Sequence, residues 1–358
     1  MNALIDAAPG SPRVAASSRR LRTVRVGPVS FRLNLRTASI VGLAALSLTA
    51  FAAWSVTLGS FPVPISGVVA SVFGRGAEDH EFIVRTLRLP RLIAALLVGA
   101  ALGMSGAIFQ GLVRNPLVSP DIIGINQGAT AVTVFWIVTG QPVALIPPVA
   151  FAGATFAALL VYVLSWRGGV APSRLVLVGI GVNAVASAAT TYTLVRYPIE
   201  QVGSAVAWSA GSVYASTWDD VQLLAVALLV LTPVAAALMW HLRILQFGDD
   251  TAASLGLPVE VTRLLLVLMG CGFSAIAISL AGPIGFVALM VPHVARMLAG
   301  AMTGSVLILT AILGAFLLLA SDVVGQHFLP VSLPVGVVTA VVGAPYFLFL
   351  LYRANARL

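Results

Sequence analysis

The chain contains no lysine: all 20 of its basic residues are arginine. A nucleotide-binding P-loop needs a lysine on the phosphates, in the pattern GxxxxGK[ST], and no such string occurs. If the protein works with ATP, another chain hydrolyses it. Charge of either sign is scarce, at 9% of residues, where a soluble domain carries about a quarter. The one cysteine, Cys271, lies inside an apolar run; it excludes an internal disulfide and reads as a small core residue. The four histidines, His80, His241, His293 and His327, are scattered, with neither zinc spacing nor triad partners. Acids are nearly absent from the centres of the apolar runs, Asp121 falling in a loop and Asp322 near the end of a run. That argues against a proton- or sodium-coupled secondary transporter, which keeps acids at mid-membrane. The scattered histidines and single cysteine argue against a membrane-embedded enzyme, which needs a catalytic cluster within the spans.

What the chain has is apolar length. Of its 358 residues 59% are hydrophobic, and the fold class follows: an all-α, polytopic membrane protein of about ten spans of roughly 20 residues each. The runs fall near 38–58, 91–112, 124–139, 143–165, 173–194, 220–242, 261–281, 284–300, 304–323 and 334–352. Ahead of them, residues 1–37 carry Arg13, Arg19, Arg20, Arg22, Arg25, Arg32 and Arg36 against Asp6 alone, and read as a disordered cytoplasmic tail. Ala50 and Ala52 mimic a cleavage site, but the basic region is too long and the apolar run too complete for a signal peptide.

With the amino terminus inside, the arginines sort by side. The tail plus Arg114, Arg167, Arg174, Arg243, Arg263, Arg296, Arg353 and Arg357 makes fifteen inside; Arg75, Arg85, Arg88, Arg91 and Arg196 make five outside. This satisfies the positive-inside rule and puts both termini in the cytoplasm of a multi-pass bacterial cell-membrane protein. The net charge of +8 therefore belongs to membrane flanks rather than to a nucleic-acid surface.

The stretch 243–263 is a polar island between apolar runs, on the cytoplasmic side of this topology. Asp249 and Asp250 stand where acids favour a helix start. Gly256 and Pro258 then end the helix, by a left-handed cap and a missing N–H. Thr251, Ala252, Ala253 and Ser254 between them form a small-residue surface. A plain loop and a docking helix for a cytoplasmic partner both fit. Gly99, Gly103 and Gly106 make one helical face, read as close helix packing in lipid rather than a pore. Asn183, Ser187, Thr190 and Thr191 share a face and, with Gln110, either line a path or satisfy one another inside the bundle. The loop with Glu78, Asp79, His80 and Glu81 reads as solvated rather than as a metal site, since consecutive residues rarely converge on one ion.

The string RLPRLIAALLVGAALGMSGAIFQGLVRNPLVSPDIIGINQGA within 88–130 resembles the FecCD family of ABC importer permeases. WSAGSVYASTW (Trp208 to Trp218), the SLG ending at Gly256, AGPIGFVALMVPHVAR (Ala281 to Arg296) and LPVGVVTAVVGAPYF (Leu333 to Phe347) follow in the family's order, so the likeness covers about 38–352. It implies a type II importer for ferric siderophores, with cobalamin and haem as alternative cargo. Its partners would be a second permease subunit, identical or paralogous, a cytoplasmic ATPase dimer holding ATP and magnesium, and an extracytoplasmic binding protein; no cofactor is implied on this chain. Asp249 to Gly256, including Leu255, then correspond to coupling helices that rest on the ATPase. Arg88 and Arg91 match outward arginines that receive acids of the binding protein, as bidentate arginine–carboxylate pairing allows, with snorkelling at a span end as the plainer role. Gln326 and Ser332 stand where the family often has an arginine and an acid, which implies fewer docking charges here or a second, different permease subunit.

Overall fold

The computed structural model of the chain describes residues 21–26 and 29–355. Two antiparallel strands come first, β1 (Leu21–Val26) and β2 (Val29–Asn34), in register from Leu21 opposite Asn34 to Val26 opposite Val29. The expected structureless tail therefore holds a hairpin in its second part, where Val29, Phe31 and Leu33 alternate with polar residues at the strand period. The rest of that tail, with Arg13, Arg19 and Arg20, lies outside the described residues, as does Arg357.

From Leu35 onward the described chain is helical. α1 (Leu35–Thr57) starts on Asn34, whose side chain accepts the Arg36 N–H at 3.1 Å. α2 (Ile65–Val72) and α3 (Glu78–Phe82) lead through a π-helical stretch (Ile83–Arg88) into α4 (Leu89–Val113). There follow α5 (Pro120–Ile123), α6 (Ile125–Val138), α7 (Ile146–Ser165), α8 (Pro172–Arg196) and α9 (Ile199–Ser209). The last six are α10 (Trp218–Leu245), α11 (Asp249–Ser254), α12 (Val259–Ala281), α13 (Val287–Ala299), α14 (Gly304–His327) and α15 (Val335–Asn355).

Each of the ten apolar runs becomes a helix. Among the described residues, however, only eight helices are long and apolar enough to cross a membrane. α6 and α13 have 14 and 13 residues, a rise of about 20 Å against a hydrocarbon core of about 30 Å. Glycines at positive φ shorten both: Gly124 (φ 90°) precedes α6, and Gly282 (φ 69°) opens the non-helical link to α13. The expected loop at 78–81 is also helical, as α3, where Glu81 pairs with Arg85 at 2.6 Å.

α4 is the axis of the bundle. Seventeen of its residues are buried, and α10, α12, α13 and α14 pack on it. The glycine face explains how they come so close. A Cβ on Gly103 would lie 2.8 Å from the Thr310 carbonyl oxygen, and one on Gly99 or Gly106 would overlap the backbone of Gly314 or Ala288. Backbones in contact gain van der Waals packing where lipid offers no hydrophobic drive.

Candidate functional site

α11 forms as its residues dictate. Gly256 (φ 80°) follows the helix in the left-handed region. Its N–H donates to the Ala253 carbonyl at 2.9 Å, and the Leu257 N–H to that of Ala252 at 3.0 Å. This is a Schellman motif, clamped by the two buried side chains of the segment, Ala252 and Leu257. Asp249, Asp250, Thr251, Ala253, Ser254, Leu255 and Gly256 are all exposed. With Leu255 66% and neighbouring Phe247 74% exposed, the end of the bundle presents an acidic, small-residue and apolar surface.

One contact of α11 was not legible in the island. Arg263, 4% exposed on the first turns of α12, donates from Nη2 to both Asp249 carboxylate oxygens at 2.8 and 3.0 Å, and from Nη1 to Glu260 at 3.1 Å. The other Glu260 oxygen accepts the Val170 N–H at 3.1 Å. Sequence reading counted Arg263 only as a membrane-flanking charge and passed over Glu260.

At the far end of α4 lie Arg88 and Arg91. Arg91 makes a bidentate pair with Asp322 on α14, at 2.8 and 3.0 Å, and its guanidinium stands 4.9 Å from the Tyr214 ring centroid. Gln326 adds a donor to Asp322 at 2.7 Å. Arg88 donates to the carbonyls of Val56 and Phe61 at 2.7 and 2.6 Å. Both guanidiniums thus have partners within the chain. Both line a cavity of about 670 Å³, together with Gln326, His327 and Ser332.

The five polar residues expected along a path separate. Ser187 and Thr191 are exposed on α8, on one face with Leu177, Ile180, Ala184 and Val195; Thr190 is partly buried. Asn183 turns to the α5–α6 joint, its backbone beside Gly124, with its Oδ1 buried. Gln110 is 3% exposed. Pro292 in α13 has no N–H for the Ala288 carbonyl, and Gln110 Nε2 lies 3.5 Å from that oxygen and 2.9 Å from the Leu289 oxygen. Its own oxygen accepts from Arg296 at 2.5 Å. Gln110 thus satisfies a proline break inside the bundle and does not share the Ser187 face. Among the described residues no group of three or more His, Cys, Asp or Glu side chains is placed to hold a metal.

The sequence over residues 47–353 matches the model of the FecCD transport family. The chain belongs to the FecCD transport family. It is 41% identical over 306 residues to the ferric enterobactin transport system permease protein FepG of Escherichia coli K12, covering 85% of this chain and 92% of that protein. It is 40% identical over 326 residues to the probable siderophore transport system permease protein YfhA of Bacillus subtilis 168, covering 88% and 95%. Among solved structures it resembles a metal-chelate type ABC transporter in an inward-facing conformation, with a TM-score of 0.81 and 28% identity, over 88% of this chain and 99% of that one. This FecCD protein is a multi-pass membrane permease of the ABC transporter class. The α4 glycine face, the α11 segment and the α12–α13 break all lie within the matched range.

Proposed function

We propose that this permease carries ferric chelates into the cell as the membrane subunit of an ATP-driven importer. The observation that carries the reading is the 41% identity with a ferric enterobactin permease across 92% of that protein's length. Relatives named for iron(3+)-citrate and iron(3+)-hydroxamate import, at 39% and 36% identity, widen the cargo to ferric chelates as a class. In this reading α11 seats on a cytoplasmic ATPase through Leu255 and the small residues around Ala253. A second permease subunit packs along α8, and cargo crosses between the two by alternating access. An extracytoplasmic binding protein docks around the cavity at the Arg88 and Arg91 end. Arg91 serves there as a braced part of the rim, its charge matched by Asp322.

A second cargo, cobalamin, has support of its own: the chain is 35% identical over 350 residues to the cobalamin import system permease protein BtuC of Halobacterium salinarum. Uptake of radiolabelled ferric enterobactin, ferric citrate and cobalamin separates the two. The comparison is between cells with the gene intact, deleted, or carrying Asp249→Arg with Ala253→Arg. Loss of ferric uptake in the deletion and in the double variant, with the variant protein still in the membrane, is the expected result. Ferric uptake that survives deletion while cobalamin uptake disappears sinks the ferric reading and leaves the permease.

A further inference from the structure

α8 crosses α5 in close backbone contact near its N-terminal end. Its N-terminal end is short of slack: Val170, 1% exposed, precedes Pro172 by two residues, and Pro172 opens the helix. The turn before it is tight, with Trp166 bridged to Val170 and Gly168 and Gly169 both at positive φ. About two helical turns further on, Gly179 rests on Ile123. A Cβ there would lie 2.8 Å from the Ile123 Cα, so the helix touches α5 backbone to backbone. Gly179 is about 10 Å along the axis from Pro172, and Ser187 about 12 Å beyond it, at 1.5 Å per residue. A stiff helix touching its neighbour there passes displacement of its first turns along its length, and to α6, on which Leu194 near its far end packs. The second half of α8 carries the exposed face with Ser187 and Thr191.

The first turns of α8 are tied, through the Val170 turn, to α11. The Val170 N–H is held by Glu260 at 3.1 Å, Glu260 by Arg263 at 3.1 Å, and Arg263 by both oxygens of Asp249 on α11. Gly169 makes room for this: a Cβ would stand 2.9 Å from the Glu260 carboxylate. Every hydrogen bond in the series has at least one charged partner, with the Asp249 and Glu260 side chains 52% and 39% exposed and so partly screened by solvent. Arg263 itself is fixed by burial, its side chain 5% exposed.

We infer that Asp249, Arg263 and Glu260 form a polar relay that passes displacement of α11 to the Val170 turn and, past the Gly179 contact, to the Ser187 face of α8. Arg263 and Glu260 are positioning residues in this inference, acting through Asp249 and the Val170 turn. The inference rests on the proposal that α11 is where the ATPase docks. It adds which residues carry the motion, and to which helix.

The test uses the complete transporter in proteoliposomes and reads ferric enterobactin moved per ATP hydrolysed. That ratio divides out any loss of folded complex, which a merely structural role would cause. Glu260→Ala removes both links of the carboxylate, and at least a fivefold fall in the ratio is expected. Glu260→Gln keeps an oxygen for the Val170 N–H and should recover part of it. A parallel Ala253→Arg variant reads docking alone, by co-purification of the ATPase. If Ala253→Arg releases the ATPase while Glu260→Ala keeps the wild-type ratio, the relay is wrong and docking stands. If Ala253→Arg leaves the ATPase bound and coupled, the docking reading fails and the relay falls with it.

Discussion

Arg91 shows what a single charge does in this bundle. Its side chain is 13% exposed and that of Asp322 5%, so each is an unaffordable charge without the other. Truncating one partner of a buried pair leaves the other charge uncompensated, at about 3–5 kcal/mol. Arg91→Ala should therefore lower the thermal unfolding midpoint of the purified permease by far more than Arg91→Ala combined with Asp322→Ala; equal losses would mean that the pair is not coupled. No pattern in the sequence announces this contact, because the partners are 231 residues apart and each stands alone in an apolar run. The same holds for Gln110, whose work depends on a proline in another helix. Only the kind of residue was legible there: a polar side chain in an apolar run needs a partner.

Elements were far more readable than contacts. The boundaries of α11 follow from Asp249 and Gly256, residues whose local chemistry decides the backbone, and the left-handed Gly256 is where the Schellman cap needs it. The glycine face of α4 was legible as a face, since 99, 103 and 106 repeat at helical spacing. Its neighbours were not, as α10, α12, α13 and α14 come from the other half of the chain. α6 and α13 are apolar helices as expected but shorter than a full span, for a physical reason: apolar residues flanking a glycine break read as part of the run, though the helix has already ended. Gly106→Val is the sharp test of the packing, because its Cβ would run into the Ala288 backbone. Overpacking of this kind costs about 1–3 kcal/mol or more where backbone must move. A clear drop in thermal stability in detergent is expected, whereas Gly42→Val on the open face of α1, where a Cβ meets nothing within 4 Å, should leave it nearly unchanged.

At the scale of the whole molecule, α8 is a weakly covered span with hydroxyls on its open face; among the described spans α1, at 11%, has still less of its apolar window buried. Only 17% of the α8 window is buried, against 72% for the helix containing α4, and the exposed face of α8 carries Ser187 and Thr191 in mid-span. Thr191 returns its hydroxyl to the Ser187 carbonyl at 3.0 Å, and the proposal that a second permease subunit packs along α8 can be tested on this face. Ser187→Cys in a Cys271→Ser background should form a disulfide-linked permease dimer in membranes if the second subunit is a copy of this chain, and Val226→Cys on the exposed face of α10 should not.

The account as a whole turns on α11 being the contact with the ATPase. The most direct measurement is cross-linking from Ala253→Cys, again in a Cys271→Ser background, in membranes holding the complete transporter, with a short cysteine-to-amine reagent. A product with the combined mass of permease and ATPase is expected, its yield changing when ATP is added, and none from Ser60→Cys at the opposite end of the bundle. An intact transporter in which Ala253→Cys yields no such product while Ser60→Cys does would contradict the account.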